Sequence, residues 1–284
     1  MVGAASRDIA ADDPRGWRLG GGATYCSLAA GRLGLRVGCL LGVDRQATEG
    51  AVGEFDLLAA AGVRVLKVPL EHGPVYENIE HDGHRRQRWL SKSDRIAVGE
   101  LPEEWRAAPA WLLAPVAGEL GDEWATALPA GSTVGLGWQG LLREFTDDGW
   151  VKRMAPTHSA LLESAGLVVA SVDDLAKETE LDRLWAMAPQ AALILTAGAG
   201  GGVAWRGGRL ARYRAAPAER VVDATGAGDV FLAALMTAWL LTGDLASSAA
   251  LRFAAAAGSC AVEGVGLGGV PTRSLVAARL RSEP

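Results

Sequence analysis

A cadence of helix followed by short strand constrains this chain more than any other feature. "LGGGATYCSLAAGRLGLRVGCLLGVD", residues 19 to 44, reads as a glycine turn, a helix of small residues and a β-rich run. "AVGEFDLLAAAGVRVLKV" is a helix running into a strand at 64–68, and "LLESAGLVVASVDDL" is a helix, a strand at 167–170 and a loop. "AALILTAGAGGGVAWRGGRLARY" supplies a buried strand at 192–196, a glycine turn, and a hairpin turning at Gly207–Gly208. Helices alternating with strands this short and apolar imply a mostly parallel sheet covered on both faces, an α/β/α sandwich.

One stretch breaks the cadence. "GPVYENIEHDGHRRQRWLSKSD", residues 73 to 94, reads as two polar-faced strands turning at Asp82–Gly83 with no helix between them. Such a hairpin has no place in a parallel core, so it is expected as a small β lid at about 70–95, with Tyr76, Asn78 and Glu80 on one strand face. The tail reads as helices at 226–241 and 246–261, a glycine loop "EGVGLGG" and a last helix after Pro271. With no repeat and no low-complexity linker, residues 1–284 are expected to form one domain with a lid.

Composition narrows the function. A formal charge of −5 gives no basic field for a polyanion, so nucleic acid is not an expected partner. The three cysteines, Cys26, Cys39 and Cys260, are widely separated and form no CxxC, which argues against zinc or a disulfide framework and for a reducing cytoplasm. The start, "MVGAASRDIAADD", lacks the basic and apolar regions of a signal peptide, and no apolar stretch reaches the roughly 20 residues of a membrane span. None of the four lysines follows a glycine, so there is no P-loop. The GxGxxG spacings at 135–140 and 264–269 lack the strand, helix and acidic residue in the arrangement of a dinucleotide site, and Gln139 and Arg143 read either as substrate-facing residues or, in preference, as a solvated helix face.

Chemistry concentrates in "DATGAGD", residues 223 to 229, at the mouth of a long apolar helix. Helix N-termini carry unpaired N–H groups and partial positive charge, and Gly226, Ala227 and Gly228 let an anion approach that backbone. A carboxylate there repels phosphate unless it serves another group. Asp229 therefore suits a general base that takes a hydroxyl proton while the amides stabilise the transferring charge.

"DATGAGD" before a long apolar helix resembles the C-terminal signature of the PfkB, or ribokinase-like, family of small-molecule kinases, and other segments match in order. "VGAASRD" at 2–8 resembles the first strand with its acceptor-binding aspartate, Asp8; "GGGATY" at 20–25 resembles the double-glycine motif against the acceptor, with Gly20, Gly21 and Tyr25. "TAGAGG" at 196–201 resembles the TxGxxG turn near the nucleotide, with Thr196, Gly198 and Gly201. "AAAAGSCAVEGVG" at 254–266 resembles the helix and loop beside the adenine, with Ser259 and Gly264. The resemblance implies a ribokinase-like sandwich and ATP-dependent phosphorylation of a sugar, polyol or nucleoside hydroxyl. It also implies magnesium, and in some members a monovalent cation such as K⁺ near Asp223.

Three departures bear on these expectations. The family's NxxE, which organises magnesium, is "SVDD" here, with Ser171 for Asn and Asp174 for Glu, so Asp174 is the expected metal-side carboxylate. The acceptor-contacting Asn falls at Tyr25, which disfavours ribose. The segment between Asp8 and Gly20 is too short for extra lid strands, which implies an acceptor end left open or covered by a second copy in a homodimer. A nucleoside kinase of the same fold and a non-catalytic ligand-binding homologue are the rival readings; the intact Asp229 argues against the second.

Overall fold

The computed structural model describes residues 1–81, 84–176, 181–245 and 247–282; the expected turn at Asp82–Gly83 and the Glu80 side chain lie outside what it describes. Strands β1 (Val2–Ala4), β2 (Ser6–Ile9) and β3 (Trp17–Gly20) lead into α1 (Gly22–Arg32) and β4 (Val37–Asp44). Helices α2 (Arg45–Gly50) and α3 (Val52–Ala60) precede β5 (Val63–Leu70), and β6 (Val75–His81) and β7 (His84–Ser91) follow. The middle of the chain holds β8 (Ala110–Leu113), α4 (Glu123–Ala127), β9 (Thr133–Gly137) and the strands β10 (Arg143–Phe145) and β11 (Val151–Arg153). Next come α5 (Ala160–Ser164), β12 (Leu167–Ser171), α6 (Leu181–Met187), β13 (Ala192–Thr196), β14 (Gly202–Arg206) and β15 (Arg209–Tyr213). Helices α7 (Ala227–Thr242), α8 (Ser248–Ala261) and α9 (Arg273–Ser282) close the chain.

Nine strands form the central sheet in the order β15-β14-β13-β12-β9-β8-β1-β4-β5. Pairing is parallel from β13 to β5, and the β14–β15 hairpin adds two antiparallel strands at one edge. Runs such as "AWLL" of β8 and "LVVA" of β12 have no polar face to offer water, and each face of the sheet carries its own apolar layer. Leu28 of α1, Val230 and Leu235 of α7 and Ala257 of α8 belong to one layer; Leu113, Trp124, Leu136, Leu162 and Leu193 belong to the other. Among the described residues, no helix is long and apolar enough to cross a membrane.

The lid is larger than the sequence suggests. A second sheet, ordered β3-β2-β6-β7, uses the expected β6–β7 hairpin but extends it by β2, parallel to β6, and by β3, antiparallel to β2. The stretch from Asp8 to Gly20 was too short only if the lid needed long strands. A compact loop, closed by Ala10 N–H to Gly16 O (3.0 Å) and Gly16 N–H to Asp13 O (2.8 Å), lets β3 return beside β2. The short-lid argument for a homodimer thereby loses its basis. The β10–β11 hairpin docks on the lid's edge: Trp89 donates its backbone N–H to Gly149 O and its indole N–H to Thr146 O, both at 3.0 Å.

Under the lid lies Glu119, fully buried. Its carboxyl oxygens accept the N–H groups of Ala4 (2.9 Å), Val116 (3.0 Å) and Ala117 (2.8 Å). They tie the end of β1 to the loop after β8, and Tyr76 of the lid donates its hydroxyl to Val116 O at 2.7 Å. Burial pushes the Glu119 carboxyl up, opposed by those N–H donors. Glu119→Ala leaves three buried N–H groups without an acceptor, so a loss of about 3 kcal/mol or more is expected in urea denaturation. Glu119→Gln, which keeps an acceptor oxygen, should lose less.

Candidate active site

Because the central strands are parallel, the segments leaving their C-terminal ends gather at one edge, and the candidate residues lie on those segments, on α7 and on the lid. Helix α7 points its N-terminus into this edge. Its residues 230–238 are all buried, so the helix has no freedom to turn that end toward water. Gly226 occupies the N-cap position with φ of 77°, and no side chain caps it. Only glycine takes this conformation without strain, and a Cβ there would sit 2.2 Å from the Tyr25 ring. Ala227 N–H donates to Ala224 O at 3.3 Å, and with no side-chain cap the turn faces the cleft with the positive end of the helix dipole behind it.

Asp229 follows in the first turn, half-buried. Burial and the negative charges of Asp174 and Asp8 push its carboxyl up to about 7, with Arg143 pulling the other way. Asp223 ties the same loop down: Oδ1 accepts the Thr225 N–H at 2.9 Å and Oδ2 the Gly266 N–H at 3.0 Å. Burial works against its ionised form, but these N–H donors outweigh it and hold the carboxyl below its ordinary value.

Asp8 lies on β2, with Ser6 Oγ donating to its Oδ1 at 2.9 Å. Glycines let the chain close in: a Cβ on Gly20 would fall 2.3 Å from Asp8 Oδ2, and one on Gly22 would fall 2.9 Å from Asp229 Oδ1. The double-glycine segment therefore lies between the two aspartates. Tyr25 is a support: its ring lies under Gly226, and burial together with Asp8, Asp223 and Asp229 pushes its phenol well above the ordinary range, keeping it protonated. In the lid Tyr76 pairs with Asp8, stacks on Phe145 with ring centroids 6.3 Å apart, and is buried; Asn78 accepts the amide N–H of Gln87 at 3.0 Å.

Asp174 is where the altered "SVDD" is tested. The segment closes a capping box: Asp174 Oδ2 accepts the Ser171 N–H at 3.0 Å, and Ser171 Oγ accepts the Asp173 N–H at 3.1 Å. Asp174 Oδ1 accepts the Gln139 amide N–H at 2.9 Å. Gln139 and Arg143 are thus no solvated helix face. Gln139 lies in a 3₁₀ turn just past β9 and Arg143 at the start of β10, its guanidinium 5.6 Å from the Tyr76 ring centroid. Their place after a strand's C-terminal end was the available signal. Among the described residues no group of three or more His, Cys, Asp or Glu could hold a metal ion alone. One or two carboxylates such as Asp174 fit magnesium, which commonly binds through substrate phosphates and water.

Thr196 ends β13, and Ala197 donates its N–H to Gly201 O at 2.7 Å to close the glycine turn, with Gly198 and Gly201 at positive φ. Ser259 is buried in α8, its Oγ accepting from Arg279 of α9 at 2.8 Å; Arg279 also pairs with Glu263 at 2.7 Å. Gly264 follows α8 and packs against Gly269.

Residues 103–273 match the model of the pfkB family carbohydrate kinases, and the chain belongs to that family. Solved structures share its fold. A pyrophosphate-dependent kinase in the ribokinase family, complexed with a pyrophosphate analog and myo-inositol, superposes with a TM-score of 0.76 at 18% identity, covering 98% of each chain. A putative ribokinase II from E. coli in complex with ATP and Mg²⁺ gives 0.73 at 18% identity, covering 100% of this chain and 99% of the other. The nucleoside kinase of Methanocaldococcus jannaschii gives 0.70 at 19% identity, covering 99% and 97%. Comparison with curated proteins yields no match.

Gly226→Ala forces a methyl into the Tyr25 ring and strains the left-handed backbone. A loss of about 1–3 kcal/mol is expected in urea denaturation. Gly228→Ala, with nothing within 4 Å of the added carbon, should stay close to wild type in stability.

Proposed function

We propose that this chain transfers a phosphoryl group from ATP to a hydroxyl of a small sugar or polyol. The observation that carries this reading is Asp229, a carboxylate held near about 7 at the uncapped mouth of α7, in the same cleft as Asp8. Asp8 orients the acceptor, and Asp229 takes the proton of the attacking hydroxyl; a base poised near the working pH suits that transfer. The amides of Gly226, Ala227 and Gly228 stabilise charge on the group in flight, and Arg143 adds a fixed positive charge at the lid side of the cleft. The Gln139 and Ser171 contacts keep Asp174 aimed for magnesium, the turn from Thr196 through Gly198 to Gly201 borders the donor's phosphates, and Ser259 and Gly264 lie toward its base. ATP with magnesium supplies the phosphoryl group; the protein positions and neutralises.

Pyrophosphate is a second reading of the donor, favoured by Ser259: its Oγ is taken by Arg279, so it has less to offer a nucleobase. A fold neighbour named as pyrophosphate-dependent makes the comparison worth running.

The test is phosphorylated product formed from ATP or pyrophosphate with magnesium, across pentoses, hexoses, sugar acids, inositols and nucleosides. Asp229→Asn should lower turnover about 10²- to 10⁴-fold while donor binding, read by calorimetry, persists. Near-wild-type turnover in that variant would remove Asp229 from the mechanism. The ionised base is the active form, so kcat/KM should rise with pH through about 7 and then level. Asp174→Asn, by removing a negative neighbour, should move that limb to lower pH; Arg143→Gln should move it to higher pH.

A further inference from the structure

The β10–β11 hairpin sets two positive charges side by side. Its register places Arg143 directly across from Arg153, with Phe145 and Val151 two residues further along the same face. That face is turned to the lid: Phe145 stacks on Tyr76 and meets Trp89 edge-on, with ring centroids 6.3 and 6.1 Å apart. The Arg143 guanidinium lies 5.6 Å from the Tyr76 ring centroid, and Tyr76 is the register partner of Asp8. Arg143 is half-buried there and Arg153 is exposed beside it.

Like charges directly opposite each other on a ladder are unfavourable, and half-burial adds to the cost of a charge without a counter-ion. An arginine that served only to hold the fold together would take a carboxylate. Among the described residues, however, neither Arg143 nor Arg153 forms an ion pair. Asp174 is satisfied instead by the neutral amide of Gln139 and the Ser171 N–H. The hairpin therefore keeps two guanidinium groups at the lid side of the cleft with no anion of the protein directly on them.

We propose that Arg143 and Arg153 seat an anionic oxygen group of the acceptor, a carboxylate or a phosphate ester, so that this protein acts on an acidic sugar or polyol in place of a neutral one. Calling that ligand an acceptor rests on the kinase reading above; the anion seat does not. A guanidinium offers either group two parallel N–H donors in a fixed fork. Asp8, Asp174 and Asp229 repel an anion from the rest of the cleft, so the arginines also decide which end of the acceptor lies toward the lid.

Binding is read first, by calorimetry without donor, on pairs that differ at one end: sorbitol against gluconate, galactose against galacturonate, and glucose against glucuronate and glucose 6-phosphate. The acidic member of at least one pair should bind about 10- to 100-fold more tightly than its neutral partner. Arg143→Gln should abolish that difference and leave the neutral partner's affinity unchanged, which a merely structural arginine would not do. Arg143→Lys, keeping the charge without the fork, should retain part of it, and Arg153→Gln at the rim should cost a few-fold. Whether the carboxylates or the phosphate ester show the gain separates the two sources. Turnover of the same pairs is then measured with ATP and with pyrophosphate. An acidic ligand that binds through Arg143 and is phosphorylated by neither donor sinks the kinase reading and leaves the seat standing. The proposal is overturned if no acidic member gains in binding, if a neutral member is phosphorylated in preference to its acidic partner, or if Arg143→Gln keeps the acidic preference. If Arg143→Gln does not fold, Arg143→Lys and the exposed Arg153→Gln decide by the same comparison.

Discussion

The candidate-site end is organised around the N-terminus of a buried helix that no side chain caps. Helix α7 is held between α1 and α8 along residues 230–238, and its first turn faces the cleft. Ala227 N–H turns back to Ala224 O at 3.3 Å, and no side chain caps the turn. Gly226 takes a left-handed conformation, with the Tyr25 ring against it. The surrounding fold thus holds the positive end of the α7 dipole toward the cleft.

Opposing charges meet around that end. Asp8, Asp174 and Asp229 crowd one cleft, and their mutual repulsion adds to burial in keeping Asp229 far from an ordinary aspartate. Arg143 works in the opposite direction, and the α7 dipole adds its own positive field. Hydrogen bonds fix the geometry in which these fields act, since Gln139 and Ser171 leave Asp174 little freedom and Asp223 locks the loop before α7. Asp174 is one methylene shorter than the family's glutamate and still closes its capping box, so "SVDD" preserves an oriented carboxylate by a different local bond.

The lid is continuous with the body. Tyr76 reaches Val116, Val116 is held by Glu119, and Glu119 also holds the end of β1 from which β2 and Asp8 depart. The lid sheet is thus linked to the end of β1 through three hydrogen bonds. The β10–β11 hairpin adds a second connection, carrying Arg143 and Phe145 against the lid's inner face.

Local patterns were enough to place several helices and parallel strands, because a strand buried on both faces must be apolar throughout, but not β8 and β9, which the sequence reading passed over. The strands expected at 167–170 and 192–196 and the hairpin at Gly207–Gly208 stand where their residues put them. "DATGAGD" likewise announced a helix mouth with a carboxylate in its first turn. What the sequence left hidden was closure between distant segments. β3 and β10 are three or four residues long and take their stability from partners elsewhere, so neither leaves a periodic trace. Gln139 and Arg143 carry the residue types of any solvated turn, and only the packing of β9 beside β12 sets one on Asp174 and the other beside Tyr76. The sequence by itself determined which segments pair within a few residues and where an anion could meet a helix. Only the tertiary structure decided which charges share the cleft, because a carboxylate's field depends on distance in space and not on separation along the chain.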